Sequence, residues 1–313
     1  MRIVVAVDGS IASDRACELA ARLNLPADAQ IRVVAVMDDG PAGGGIDWHA
    51  DLPDAGSGPE GERAHLAIAL ETATRSLTDA GRQHVDAVLL RGEPAQAIID
   101  EAVEWKADLV MVGHRGRGAV ASMLLGSTSS KVAEHAPCPV LVVREPKLGS
   151  ALLAEDGSES SGEAVQLVAD WPIFNALPVT VVSVADVALP VTMEVQLGLY
   201  EQVLKTYMES VDLARAQTRT IAMLAAERLS KVGRKATVHV LEGSPATVIV
   251  EAARTHAVDL VVMGTRGHTG LARLALGGTA HSVMLHAPCS VLVVRGYPVT
   301  SAETPAEGQP TAV

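Results

Sequence analysis

Two runs of the chain place glycine and hydroxyl residues where a phosphate-bearing ligand could be held. In GHRGRGAVASMLLGSTSSKV, residues 113–132, Gly113, Gly116 and Gly126 are followed by Ser127 and Thr128. An apolar run, Leu109 to Val112, stops at Gly113, and a helix-like segment opens at Ser127. Strand, glycine loop and helix start, in that order, gather backbone N–H groups and the positive end of a helix dipole around one pocket. Glycine lets the main chain approach an anion closely, because no Cβ stands in the way. The same spacing returns at Gly264, Gly267 and Gly277, behind Leu260 to Met263 and ahead of Gly278 and Thr279. One such match is a weak signal, whereas two copies behind two similar strands mark a repeated site.

A carboxylate stands at the end of the first apolar strand of each copy. Asp8-Gly9-Ser10 follows the run Arg2 to Val7, and Asp156-Gly157-Ser158 follows Ala151 to Ala154. In a doubly wound sheet of strand order 3-2-1-4-5, ligands lie outside the carboxyl ends of strands one and four, where the order reverses. That geometry brings Asp8 beside Gly113. A carboxylate repels phosphate, so Asp8 belongs at the ribose and base end of the pocket. Arg115, Arg117, Lys131, Arg266 and Arg273 are charges that either offset phosphate or sit solvated on loops and helix starts. His135 and His286 precede buried strands with no second ligand at metal spacing, so they read as packing or local hydrogen-bonding groups and no metal site is expected. The three cysteines, Cys17, Cys138 and Cys289, form neither a disulfide framework nor a CxxC pair. Cys138 and Cys289 read as small buried apolar residues.

The elements that must position these residues alternate. Strand, helix and strand recur through Arg2–Val7, the stripe Ala16, Leu19, Ala20 and Leu23, Ile31–Met37, the stripe Leu66, Leu70, Ala73 and Leu77, Val85–Leu90, a helix from Gly92-Glu93-Pro94 to Trp105, strand four, and Cys138–Val143. This is the pattern of a parallel doubly wound sheet. Residues 40–61, rich in Gly, Pro and Asp and without periodicity, read as a long surface loop. The second half repeats the order, with Gly243-Ser244-Pro245 matching Gly92-Glu93-Pro94 and His286-Ala287-Pro288-Cys289 matching His135-Ala136-Pro137-Cys138. Where the first half has its glycine-rich loop, the second carries a long helical stripe of Val203, Tyr207, Val211, Ala214, Ile221 and Leu224. The expected fold is therefore α/β: two tandem, Rossmann-like, five-stranded parallel sheets, as domains 1–145 and 149–296, with a disordered tail at 297–313.

Composition sets the outer limits. Hydrophobic residues make up 48% of the 313 residues but aromatics only 2%, so the cores must be built from Ala, Val, Leu and Ile. A formal net charge of −12 argues against nucleic acid or an acidic membrane surface as partner. No apolar run is long enough to span a bilayer, and the expected setting is the reducing cytoplasm.

The Asp-Gly-Ser after strand one, with Gly-x2-Gly-x9-Gly-Ser after strand four, resembles the universal stress protein family in its tandem form. The resemblance covers about residues 1–145 and 148–296. It implies a five-stranded α/β sheet per lobe and binding of ATP, often with Mg2+. Carried over by position, it implies that Asp8 and the backbone at Val36 contact adenine and ribose, while Gly113, Gly116, Gly126, Ser127 and Thr128 hold phosphates. The lobe-two counterparts are Asp156, Val184, Gly264, Gly267, Gly277, Gly278 and Thr279. Two departures stand out: Gly278 replaces the motif's hydroxyl residue, and Glu155 stands where lobe one has Val7. The expected function is nucleotide-dependent regulation of a stress response, through a protein partner or a homodimer. The rival class is a slow ATPase or related nucleotide-hydrolysing enzyme; a nucleotide-free interaction module would be expected to have lost the glycines. Neither a GxxxxGK[ST] loop nor an SGGxDS loop is present, and no His, Glu or Lys is spaced to act as a base beside a γ-phosphate. Strand five of each half is apolar throughout although it ends its sheet, so the two are expected to pair antiparallel about a pseudo-twofold axis, with Cys138 and Cys289 at opposite ends of the ladder.

Overall fold

The computed structural model describes residues 1–38, 58–116, 125–186, 200–267 and 276–299. The first half runs β1 (Arg2–Ala6), α1 (Ile11–Arg22), β2 (Gln30–Met37), α2 (Pro59–Asp79), β3 (His84–Arg91), α3 (Pro94–Glu104), β4 (Leu109–Gly113), α4 (Ser127–His135) and β5 (Val140–Val143). The second runs β6 (Ala151–Ala154), α5 (Glu159–Asp170), a short 3-10 turn (Pro172–Phe174), β7 (Val179–Ala185), α6 (Tyr200–Lys231), β8 (Ala236–Glu242), α7 (Pro245–Thr255), β9 (Leu260–Gly264), α8 (Gly278–His286) and β10 (Ser290–Val294). Among the described residues no helix is long and apolar enough to cross a membrane.

The ten strands of the described residues form one sheet, in the order β3-β2-β1-β4-β5-β10-β9-β6-β7-β8. Each half is parallel with order 3-2-1-4-5, and the halves join through the antiparallel pair β5 and β10, with Leu141 opposite Leu292. The buried apolar run of β5 thus has a partner on both sides. In this register Cys138 and Cys289 lie at opposite ends of the ladder. All three cysteines are buried free thiols.

Alternation along the strands feeds two cores, one on each face of the sheet. Ile3 and Val5 of β1 face α1 and α2, whereas Val4 belongs to the layer containing Ile98 and Val132. Both layers run across the two halves, so Leu77 and Leu229 lie in one cluster and Val132 and Val283 in the other. The stripes on α1 and α2 are buried at the positions that periodicity indicates, Ala16, Leu19 and Ala20, then Leu66, Leu70, Ala73 and Leu77.

The stripe on α6 needs correction. Its buried side is Val211, Ala222, Ala225 and Leu229, while Leu224 is 59% exposed. A long apolar helix offers more than one possible stripe, and packing against β7 and β8 selects among them. The side chains of Val203 and Tyr207 lie outside the described residues, as do most of the glycine-rich stretch and residues 300–313. Tyr297, assigned to the tail from sequence, instead packs edge-on against Trp171 and donates its hydroxyl to Asp170 at 3.1 Å.

Candidate functional site

Each half carries a cavity of about 150 Å3 at the carboxyl end of its strands. In lobe one, β1 and β4 are hydrogen-bonded neighbours, so the residues just beyond them are brought together. The turn after β1 is shaped locally. Gly9 takes a φ of +76°, a left-handed conformation that side chains disfavour. Asp8 Oδ1 accepts from Ser10 N at 3.0 Å, and Ser10 in turn caps α1 by accepting from Ser13 N. Ser10, not Asp8, is the helix cap, and Asp8 Oδ2 lies against the glycine loop: a Cβ on Gly116 would stand 2.7 Å from it. Gly113 packs flat on the first turn of α1, where a Cβ would meet the Ala12 backbone at 2.6 Å.

Lobe two repeats this construction. Gly157 has a φ of +83°, Asp156 Oδ1 accepts from Ser158 N at 2.9 Å, and a Cβ on Gly267 would stand 2.7 Å from Asp156 Oδ2. Gly264 packs on Ser160, with 2.5 Å left for a Cβ.

Asp8, Val36, Gly113, Gly116 and Thr128 line the first cavity, beside Arg115. Gly126 is the buried N-cap of α4, its N–H bonded to His114 O at 2.8 Å, and it stands behind the lining rather than in it. Ser127 is exposed and does not line the cavity. In the second cavity Asp156, Val184, Gly264, Gly267, Gly277, Gly278 and Thr279 all contribute, with Arg266. Arg117 and Arg273 lie outside the described residues. His135 contacts Glu134, and His286 Nδ1 bonds locally with Ser282 O at 2.8 Å. Among the described residues no three His, Cys, Asp or Glu side chains cluster so as to hold a metal.

Resemblance and spacing both pass over several lining residues. Ser13, Pro94, Ile98 and Ser129 are among them in cavity one, and Ser161, Pro245, Ile249 and Thr265 in cavity two. The repeated Gly-x-Pro before α3 and α7 was the available signal, because Pro94 and Pro245 begin those helices at the cavity walls. Ser129 is buried and donates to Gly113 O at 2.6 Å, tying α4 to the end of β4.

Electrostatics differ between the lobes. Burial, helped by the cations of Arg144 and Arg115, lowers His114 to about 4, so a neutral imidazole borders the first glycine loop. In lobe two, burial pushes the Glu155 carboxyl up to about 7.

The model of the universal stress protein family matches residues 1–144 and 149–295. The chain belongs to that family. A universal stress protein of Mycolicibacterium smegmatis is 30% identical over 312 residues, covering 94% of this chain and 96% of the relative. A single-lobe universal stress protein of Thermus aquaticus is 39% identical over 146 residues, covering 45% of this chain and 97% of its own length. A crystal structure of a universal stress protein from Archaeoglobus fulgidus matches the fold with a TM-score of 0.62 at 16% identity, covering 94% of this chain and 98% of that one.

In this family member the lobes hold one another's site helices. Arg144, just after β5, donates to Met284 O and Leu285 O at 2.7 and 3.0 Å, at the end of α8. Arg295, just after β10, donates to Ala133 O, Glu134 O and Ala136 O at the end of α4. Each cavity is walled by the N-terminal turn of one of these helices, and each helix is held at its other end by an arginine from the opposite lobe.

Proposed function

We propose that the protein binds ATP in both strand-end cavities and serves as a nucleotide-dependent regulator in a stress response. The observation that carries this reading is the duplicated cradle. In each lobe two glycines, Gly113 with Gly116 and Gly264 with Gly267, leave backbone at the cavity wall where a side chain would collide. The N-terminal turn of α4 or α8 faces the same space, through Thr128 in lobe one and Gly278 and Thr279 in lobe two. Backbone N–H groups and the helix dipole suit phosphates there. Asp8 and Asp156, with Val36 and Val184, suit ribose and base. Mg2+ would arrive on phosphate oxygens, to which it is well matched.

Regulation is favoured over catalysis by what the cavities contain. Among the described residues, the charged side chains lining cavity one are Asp8 and Arg115, an arrangement suited to holding a nucleotide rather than activating water against it. Any ATP turnover should fall far below the enzyme median of about 10 s⁻¹. Three buried thiols fit a reducing, cytoplasmic setting. Identifying the nucleotide released on denaturing the purified protein, with calorimetric titration of ATP, tests the reading. Co-purified ATP, or saturable binding weakened by Gly116→Ala and by Gly267→Ala, supports it. Absence of both overturns it.

A further inference from the structure

The cavities differ most at the residue that precedes the pocket aspartate. Lobe one has Val7, an uncharged side chain that lines its cavity from the core beside α1. Lobe two has Glu155, which is 7% exposed and lines the cavity. Glu155 Oε1 accepts from Gly157 N at 2.9 Å and from Ser161 Oγ at 2.8 Å. Its Oε2 is buried and has no hydrogen-bond partner among the described residues. An ionised oxygen in that position lacks the donors that water would supply, whereas a protonated one becomes a donor itself.

Among the described residues, the groups around it are few. Asp156, next in the chain, opposes ionisation of Glu155, and Arg228 of α6 favours it. Ser161 of α5 and Ser183 of β7 bring hydroxyls without charge, and Arg266 is the cation of the facing loop. Desolvation outweighs the rest, and the carboxyl rises to about 7.

We propose that Glu155 makes the second cavity a proton-linked nucleotide site, which takes up a proton on Oε2 as the nucleotide binds, while the first cavity binds without one. This rests on the ATP reading above. A polyanion in the cavity adds to the field of Asp156 and so favours the neutral carboxyl. The neutral form also offers an O–H to a base or ribose acceptor, where the charged form would repel the ligand. Both effects have the same sign: the proton comes from solvent, and affinity falls as pH rises through the range in which free Glu155 ionises.

Calorimetry with ATP in two buffers of different ionisation heat reads the proton directly. Gly116→Ala and Gly267→Ala separate the pockets, and titration of the nucleotide's own phosphate is common to both. Affinity of the second pocket, relative to the first, should fall about tenfold from about pH 6 to about pH 8, with uptake approaching one proton at the upper end. Glu155→Gln, which keeps an acceptor for Gly157 and Ser161, should abolish both effects. Equal proton counts in the two pockets, or unchanged uptake in Glu155→Gln, would overturn the proposal, as would ATP binding to the first pocket alone. Proton release in the presence of Mg2+ would overturn it too, by assigning Oε2 to the cation. No ATP binding in either pocket would refute the ATP reading, and this one with it.

Discussion

Gly113 and Gly116 lie three residues apart in one loop, yet they answer to different neighbours. A Cβ at Gly113 would strike the Ala12 main chain at 2.6 Å, which cannot yield without moving α1. A Cβ at Gly116 would strike only the tip of Asp8, which can turn away. Gly113→Ala should therefore cost about 1–3 kcal/mol of stability, seen as a lowered denaturation midpoint. Gly116→Ala should leave the midpoint nearly unchanged while displacing Asp8 and weakening ATP binding in lobe one about tenfold, or about 1.4 kcal/mol. Equal melting of the two variants would contradict this division. Glu155 makes a separate prediction on stability. Its carboxyl rises from 4.5 to about 7 on folding, which at 1.36 kcal/mol per tenfold change is on the order of 3 kcal/mol. Because the folded value is the higher one, this contribution is complete below about pH 4.5 and lost by about pH 7. Urea titrations should show Glu155→Gln gaining on the parent by roughly that amount between the two ends of the window. A constant difference would remove burial as the cause.

At the scale of elements, each half ends its first helix with the same device. Arg82 donates to Ala20 O, Ala21 O and Leu23 O, which satisfies carbonyls at the end of α1. Arg234, buried, donates to Ala169 O and Trp171 O at the end of α5 and to Asn175. Helix ends leave carbonyls without intrahelical donors, and a cation there also meets the negative end of the dipole. Arg234→Met should cost about 2–3 kcal/mol, read from chemical denaturation; a loss below about 0.5 kcal/mol would show that water replaces the guanidinium. The start of α8 offers the opposite kind of change. A Cβ at Gly278 meets nothing within 4 Å, so Gly278→Ser is free of collision. It should strengthen nucleotide binding in lobe two by about 0.5–1.5 kcal/mol, the worth of one hydrogen bond. The exposed position of Ser127 in lobe one sets the expectation at the low end. No change by calorimetry would show that a hydroxyl at this position plays no part in lobe two.

The whole molecule is organised about β5 and β10. Their antiparallel ladder buries two apolar edges that would otherwise invite other chains, and Arg144 and Arg295 cross it in opposite directions to the ends of α8 and α4. The linker between the halves is also tied down, by Lys147 to Asp259 at 3.0 Å and Gly149 N to Asp259 at 2.7 Å. Amides of β5 and β10 should accordingly be among the slowest to exchange, opening only with the whole sheet. Fast exchange there would mean that the lobes separate below the global unfolding energy. Arg144→Met and Arg295→Met should each cost about 1–3 kcal/mol, and additivity of the pair would show that the two contacts act independently.

Much of this arrangement is local in origin and was legible from residue order. Strand alternation, the Asp-Gly-Ser turns, the glycine spacing and the apolar fifth strands each depend on near neighbours, and together they lead to two 3-2-1-4-5 sheets joined edge to edge. The stripe on α6 was misread at Leu224 because a helix with several apolar faces is oriented only by what it packs against. Ser127 reads as a phosphate donor from its place in the motif; the structure adds that it is exposed at the start of α4 and outside the lining of the first cavity. The four arginines that hold helix ends were invisible for a related reason. Arg82 and Arg144 meet their carbonyls across 59 to 141 residues of chain. No periodicity marks a charged side chain whose partner is a main-chain carbonyl on another element. Glu155 could be seen as a departure from its counterpart Val7, but its buried, half-satisfied carboxyl exists only once α5, β7 and the strand end have closed around it. The sequence alone therefore determined the repeat, the sheet order and where the pockets open; tertiary packing decided which side chains reach them and how the two halves are locked, because those contacts join residues far apart in the chain.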